Sequence, residues 1–549
     1  IAGGGGLFVG IAGSVSVQLL DVKTVASVGD AIINDARLNG GANGAQDVVV
    51  VARDSSSVAA IDGGLAIGAG AVAGAVDVGI LRNSTEATIA DGATVNAKDR
   101  VEVAGLQNTG VQSTVVSAAG GLIGIAAGVS VYSIGDGIDP GSKASNEINS
   151  AGDLGTYAQG DLNDTSVDQL LASSDNTTVK GIGTRMATSR SNVQVAGKID
   201  NGSPSNVPTG TLASVGNGDI AAGGAVSVAA LDTLGTDTKA GAVAVGALGL
   251  GAGVGIVLVD TTDTAQVEGT STLAAGSLSV NATSTHTLHA TSIAGTGGLI
   301  AAEAAVTVLE DSAATMARID GADIATSGAV SVRANDHRTA SAEGNGGAVG
   351  AAAAGLSGAV VNLDGSVEAS LGTDRATGTS IGDSTHRAAS VTVSATSANS
   401  ATSQAFAATG GIGLAFTGAD AEATTAKLVS ALADAATIYA TGAVDVSGAA
   451  AGSASSSATG YAIAGVLAAG GSVALANVGD QVSTHIFDHS LIDAGSIDLA
   501  AAIDPNTANP VVSASANGSS GVMVGLTATE AQAVNTSSAN TMAEGSTLA

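Results

Sequence analysis

The sequence repeats itself about every 53 residues, which restricts it to architectures in which one unit stacks on the next. A strand-like V-x-V anchor ends at Val51, Val103, Val228, Val280, Val332, Val393 and Val446, and in leucine form at Leu499. The steps 51→103, 228→280 and 280→332 are each 52 residues, and 393→446 and 446→499 are each 53. A second anchor ends at Val17, Val78, Val131, Val259, Val308, Asn362, Glu422 and Leu475. From a first anchor to the following second anchor the distance is 27 to 31 residues. From a second anchor to the next first anchor it ranges from 21 to 97, mostly near 24. Each repeat therefore has a steady half and a variable half that absorbs insertions.

The steady half, as in "ATSIAGTGGLIAAEAAVTV" and "VVSAAGGLIGIAAGVSV", alternates small and apolar residues around a Gly-rich joint. That is the two-residue period of pleated strands with one packed face. The variable half, as in "ATIADGATVNAKDRVEV" and "ARIDGADIATSGAVSV", reads as short β-branched runs separated by D-G, A-G and S-G turns. Helices fit poorly, because glycine falls in nearly every window at roughly 1 kcal/mol each relative to alanine. The pattern predicts an all-β chain: a parallel β-helix or β-solenoid of about ten repeats, with four short strands in each. The spacing leaves open whether a repeat makes one coil or two. At roughly 4.8 Å per stacked strand, the array would rise about 50 Å or about 100 Å respectively.

Composition narrows the interior. Hydrophobic residues make up 45% of the chain but aromatics only 1%, and glycine alone supplies 79 residues. Layers closed by Ala, Val, Ile and Leu must be thin. The formal net charge is −30, from 48 acidic and 18 basic residues. Such a surface repels phosphate, so nucleic acid and anionic lipid are excluded as expected partners. With no cysteine, disulfide and thiolate chemistry are absent. The uncharged stretch Gly241 to Val259 is long enough to span a bilayer. Its counterpart "LIAAEAAVTV" is interrupted by Glu303, so a pair of buried strands is expected and no membrane span. "IAGGGGLFVG" lacks a basic leader region, and neither end carries a polar cap, so the chain is expected to be a window cut from a longer one.

Three segments are expected: solenoid at 1–134, an insertion at 135–218, and solenoid again at 219–549. Extra residues fall around Asn34 to Gln46, between Ile134 and Asp219, and around Thr373 to Arg387. All are in the variable half, so they are expected to emerge along one edge as a candidate binding surface. Within the large insertion, Asn163 to Asn176 could form a short helix. Asp136, Asp139, Asp161, Asp164 and Asp168 carry carboxylates at spacings that calcium loops use, and calcium is the one cofactor considered.

No catalytic constellation is expected. "GTSIG" at Gly378 to Gly382 has the form of a nucleophile elbow, with His386 nearby, but Ser380 occupies a repeat slot also filled by Thr94, Thr272, Asp323 and Thr437. An elbow needs a strand-to-helix turn that this pattern lacks. His286 and His289 point to opposite faces of an extended chain. His485 and His489 share a face about 13 Å apart, too far for one zinc ion without a turn.

The ladder "GAVSVxAxD…A-x-I-x-x-A-x-I…GG-x-x-G-A-x-A-A-x-x-V-x-V" resembles the repeats of giant bacterial filamentous adhesins. It is most similar to filamentous-haemagglutinin-type and leukotoxin-type exoproteins exported by two-partner secretion. The resemblance implies a right-handed parallel β-helix displayed at the bacterial cell surface or secreted. It implies attachment to host or neighbouring cells, glycan or matrix, with aggregation or biofilm formation and lateral self-association into filaments. A self-assembling sheath protein and a β-helix enzyme or fibre acting on polysaccharide are the alternatives.

Overall fold

The computed structural model describes residues 1–35, 43–135, 209–269, 271–372, 378–487, 489–503, 512–521 and 523–549. All regular structure among them is β-strand, and the inter-strand pairing is parallel throughout, as in the ladders joining successive coils.

One coil shows the plan. The 35-residue strand Ser277–Asp311 is followed by two short ones, Ala314–Ile319 and Asp323–Thr326, before the next coil opens at Ala329. Leu278 pairs with Val330, Val280 with Val332 and Leu309 with Val361, each 52 residues on. One repeat is therefore one coil, the lower of the two expected heights.

The long strand doubles back on itself. Ser292 donates from its hydroxyl to the carbonyl of Val306 at 2.7 Å, and the Thr409 and Thr417 hydroxyls meet in a later coil. These contacts are mirrored about a tip at Gly298–Leu299 and its equivalents. Each coil thus has an outgoing and a returning arm segment, a base strand and a short edge strand, which are the four segments expected per repeat. The edge strands stack into a nine-stranded sheet of their own, and the remainder join one continuous 23-stranded sheet.

The interior changes along the cross-section. Val103, Val228, Leu273, Ile319 and Ile324 belong to a base core of branched residues. Leu234, Val257, Leu288 and Leu309 fill the middle. Towards the tip only alanines remain, among them Ala66, Ala119, Ala126 and Ala242. There the two layers approach so closely that a Cβ on Gly128 would strike the carbonyl of Gly241. At the tip, Gly121, Gly246, Gly298 and Gly350 stack, and a Cβ on any of them would run into the glycine carbonyl one coil below. The glycine-rich joint of the repeat is this ladder.

Turn chemistry follows the sequence. Gly92, Gly269 and Gly321 end the base strands at φ of 80°, 75° and 73°, the left-handed geometry that glycine adopts freely. Ala435 adopts φ 48° at the same turn of a later coil, without that freedom.

Three anchors move. Val50, not Val51, stacks on Val103. Ile256, not Val259, stacks on Val131 and Val308. Val360, not Asn362, lies between Val308 and Glu422. The phase is lost where runs such as Val48–Val51 and Ile256–Val259 are apolar at every position.

The insertions also differ from expectation. The first leaves between Ile32–Ile33 and Val48–Ile67 and the second between Ile123–Gly135 and Gly210–Val215, while the third is split, part between Ser366–Leu371 and Thr379–Ile381 and part between Thr379–Ile381 and Ser390–Thr425. They fall on three corners of the coil, the first and part of the third sharing one, because the variable half turns three corners. Pairing also resumes at Gly210, inside the expected 135–218 interval. The stretch Gly241 to Val259 lies in strands Ala225–Val245 and Leu248–Asp260, and no helix among the described residues is long and apolar enough to cross a membrane.

Candidate functional site

The alternation that turns Leu278, Val280 and Ala282 inward continues through Ser284 and His286 before apolar packing resumes at Leu288. Asp232 and Asp336 stack on either side of Ser284, and Leu234 and Arg338 on either side of His286. Charged side chains therefore occupy inward slots in three successive coils. They form a polar seam between the base core and the middle core, which Asp311 joins from the returning strand and Asp263 from the base strand.

The seam is densely paired. His286 Nδ1 lies 2.6 Å from Asp311 Oδ2, and its Nε2 is 3.1 Å from both Asp232 Oδ2 and Ser284 Oγ. Arg338 bridges Asp311 through Nη1 and Asp336 through Nε at 2.6 Å, and donates from Nη2 to the Ala313 carbonyl. Lys427 reaches the Asp364 carbonyl and lies 3.8 Å from Asp336, while its backbone N–H donates to Asp480. Asp263 accepts from the Thr211 N–H at 3.0 Å. His286, Asp311, Arg338 and Asp263 are fully buried.

The electrostatics follow from that enclosure. Burial opposes charge on Asp311, yet Arg338 and His286 outweigh it and hold the carboxyl well below the usual range. Burial likewise opposes the His286 imidazolium, but Asp311 and Asp232 raise its pKa to about 9. Lys427, desolvated and facing Arg338, falls to about 8. Asp263 is pushed well above its ordinary value by burial and by the charge on Asp232, with Ser284 and His286 acting against that rise.

Asp232, Asp263 and His286 each bring a donor atom within 4.8 Å of the other two. Asp232 Oδ1 and Asp263 Oδ2 are buried without a hydrogen-bond partner among the described residues. The sequence alone does not bring these three together, because Asp232 precedes His286 by 54 residues, a full coil and two more. The available signal was the inward phase of Asp232, Asp336 and Arg338 under strict alternation.

The motifs singled out in the sequence fare differently. His286 is buried and His289 lies half-buried on the other face, as expected. Ser380 lies on the edge strand Thr379–Ile381, paired with Asp323 and Thr437, so "GTSIG" is a repeat position. His386 packs against Asp383 and Thr385 in an exposed loop. His485 sits on strand Gln481–Ile486 against Ser483 and the Phe487 ring, and His489 occupies a left-handed turn. Asp136, Asp139, Asp161, Asp164 and Asp168, with the expected helix at 163–176, lie outside the described residues.

The surface carries a second feature. Phe8, Leu122, Leu299, Ile412, Val466 and Met523 stand at the arm tips, exposed by 57% or more. Backbone hydrogen bonds such as Leu248 N–H to Leu122 and Val524 N–H to Val466 align the tips coil on coil, with Ala69, Ala247 and Ala351 at the tips between the larger residues. The result is an apolar ridge running along the stack. On the arm flank, Leu356, Phe416 and Leu526 line a shallow apolar depression of about 620 Å³.

Searches for similar proteins found no matching family model, no matching curated protein and no matching solved structure.

Proposed function

We propose that this chain is the non-catalytic shaft of a large secreted or surface-displayed bacterial adhesin or extracellular filament. The observation that carries the reading is the apolar ridge at the arm tips of an in-register stack, with large side chains at six tips and Ala69, Ala247 and Ala351 at the tips between them. A contiguous exposed apolar patch marks an interaction surface, and a repeat stack multiplies one weak contact into avidity. The acidic remainder, with a formal charge of −30, keeps such chains apart in solution while the ridge engages apolar surface on a neighbouring cell, host or matrix.

The test is attachment of beads coated with the chain to alkylated and to hydrophilic surfaces. Leu299→Ser, Ile412→Ser and Val466→Ser combined should lower retention on the alkylated surface several-fold and leave the circular dichroism unchanged. Unaltered retention by a folded variant would sink the ridge as the adhesive element. The sheath reading is favoured instead if the wild-type chain forms lateral bundles in electron micrographs that the same substitutions dissolve.

A further inference from the structure

We infer that Asp232, Asp263 and His286 form a closed binding site for one divalent transition-metal ion of the zinc class, which staples two successive coils. The inference rests on the seam's geometry and is independent of the adhesive reading.

Four observations converge on it. First, the donor atoms of the three side chains cluster within 4.8 Å of one another. Zinc bonds of about 2.0–2.2 Å place tetrahedral ligands roughly 3.4 Å apart, so small side-chain rotations close the cluster on an ion. Second, the two carboxylates of the cluster each keep one buried oxygen, Asp232 Oδ1 and Asp263 Oδ2, with no hydrogen-bond partner among the described residues. Leaving buried carboxylates under-satisfied is expensive, and a cation held by both would offset that cost. Third, His286 is already oriented as metal ligands are. Its Nδ1 is engaged by the Asp311 carboxylate at 2.6 Å, which turns Nε2 towards Asp232 and Ser284. A carboxylate behind the imidazole, here itself anchored by Arg338, fixes the tautomer that binds metal. Fourth, the charges balance once the ion displaces the protons that the metal-free cluster favours on His286 and Asp263, since two carboxylates and a neutral imidazole neutralise a divalent ion.

The donor set also selects the ion. Calcium takes six to eight oxygen ligands, whereas this pocket offers one nitrogen and two carboxylates, with Ser284 Oγ beside them. Imidazole with few carboxylates in an enclosed site suits zinc and its neighbours. Asp232 and Asp263 come from one coil and His286 from the next, so the ion would cross-link coils that are otherwise joined by backbone hydrogen bonds, packing and a few side-chain hydrogen bonds and ion pairs such as His286–Asp232 and Arg318–Gln266.

The experiment uses the full 549-residue chain expressed in zinc-supplemented medium, dialysed against chelator and analysed for bound metal. One zinc per chain should be retained. Combined Asp232→Asn and Asp263→Asn substitution should remove it, whereas His386→Ala together with His489→Ala, both at exposed sites, should leave it in place. Metal content equal in wild type and the Asp pair variant, or no retained zinc in wild type, overturns the proposal. Should the Asp variant fail to fold, X-ray absorption on the zinc-loaded wild type decides. One imidazole with an otherwise oxygen shell supports the site; two imidazoles, or none, overturns it.

Discussion

At the scale of single residues, Glu303 is the side chain least at ease in the fold. Both its carboxylate oxygens are buried without partners among the described residues, and they occupy the space that a Cβ on Gly346 or Gly355 would need. Burial lifts its pKa from 4.5 to about 8, so the folded chain holds a proton that the unfolded chain has lost. Stability from this group is full below about pH 4.5 and is lost as pH rises through 8, at about 1.4 kcal/mol per pH unit. Glu303→Gln should flatten that slope. Calorimetric melting between pH 5 and pH 8 would show a smaller fall for the variant; parallel slopes would disprove the assignment. The inward phase of Glu303 was readable from "LIAAEAAVTV", since alternation places it with Ala301 and Ala305. Its lack of partners was not, because the opposing surface comes from glycines on a neighbouring coil.

At the scale of elements, the arm is the unit that sequence reasoning resolved least. Two apolar runs around a glycine pair look alike whether the chain turns into a second coil or folds back as an arch. What separates them is the partner of each strand, and pairing at 52 residues settles it. The arch also accounts for the scarcity of large side chains. Two layers near enough for a Gly128 Cβ to strike the Gly241 carbonyl leave room for alanine and little else. Gly298→Ala adds one methyl group against the Gly246 carbonyl and should cost about 1–3 kcal/mol, the range for overpacking a closed site. Denaturant unfolding measures it, and a loss below about 0.5 kcal/mol would mean the tips are looser than the stacking implies. Gly297→Ala, where a Cβ meets nothing within 4 Å, is the matched control.

At the scale of the whole stack, the 53-residue period was legible from the V-x-V anchors, and the coil simply inherits it. Two of the three anchors slipped where four apolar residues ran together, and the three insertion corners were merged because one linear interval contains them all. If a repeat is a coil, removing one period should leave a shorter stack in register. Residues 48–100 are such a period, since Val48 pairs with Val101. Deleting all 53 should preserve the β-sheet dichroism and a single cooperative melt, at a lower temperature. Deleting only 48–73 should abolish both, because half a coil would put an outgoing arm segment on a returning one. Equal tolerance of the two deletions would point to a period of half the length.

The buried seam gives this regularity something it otherwise lacks. Valine and alanine at the inward slots are nearly interchangeable from coil to coil, so apolar packing alone would tolerate a chain threaded one turn out of place. Asp311, Asp336 and Arg338 would not. Arg338 and Asp336 share a strand, but the Arg338–Asp311 pair joins one coil to the next, and a slipped threading would carry the guanidinium to the slot of His286 or of Asn399, away from Asp311. Breaking a buried pair in this way costs about 3–5 kcal/mol. The charged layer thus serves as an address label in a text of repeated words, naming which turn belongs on which.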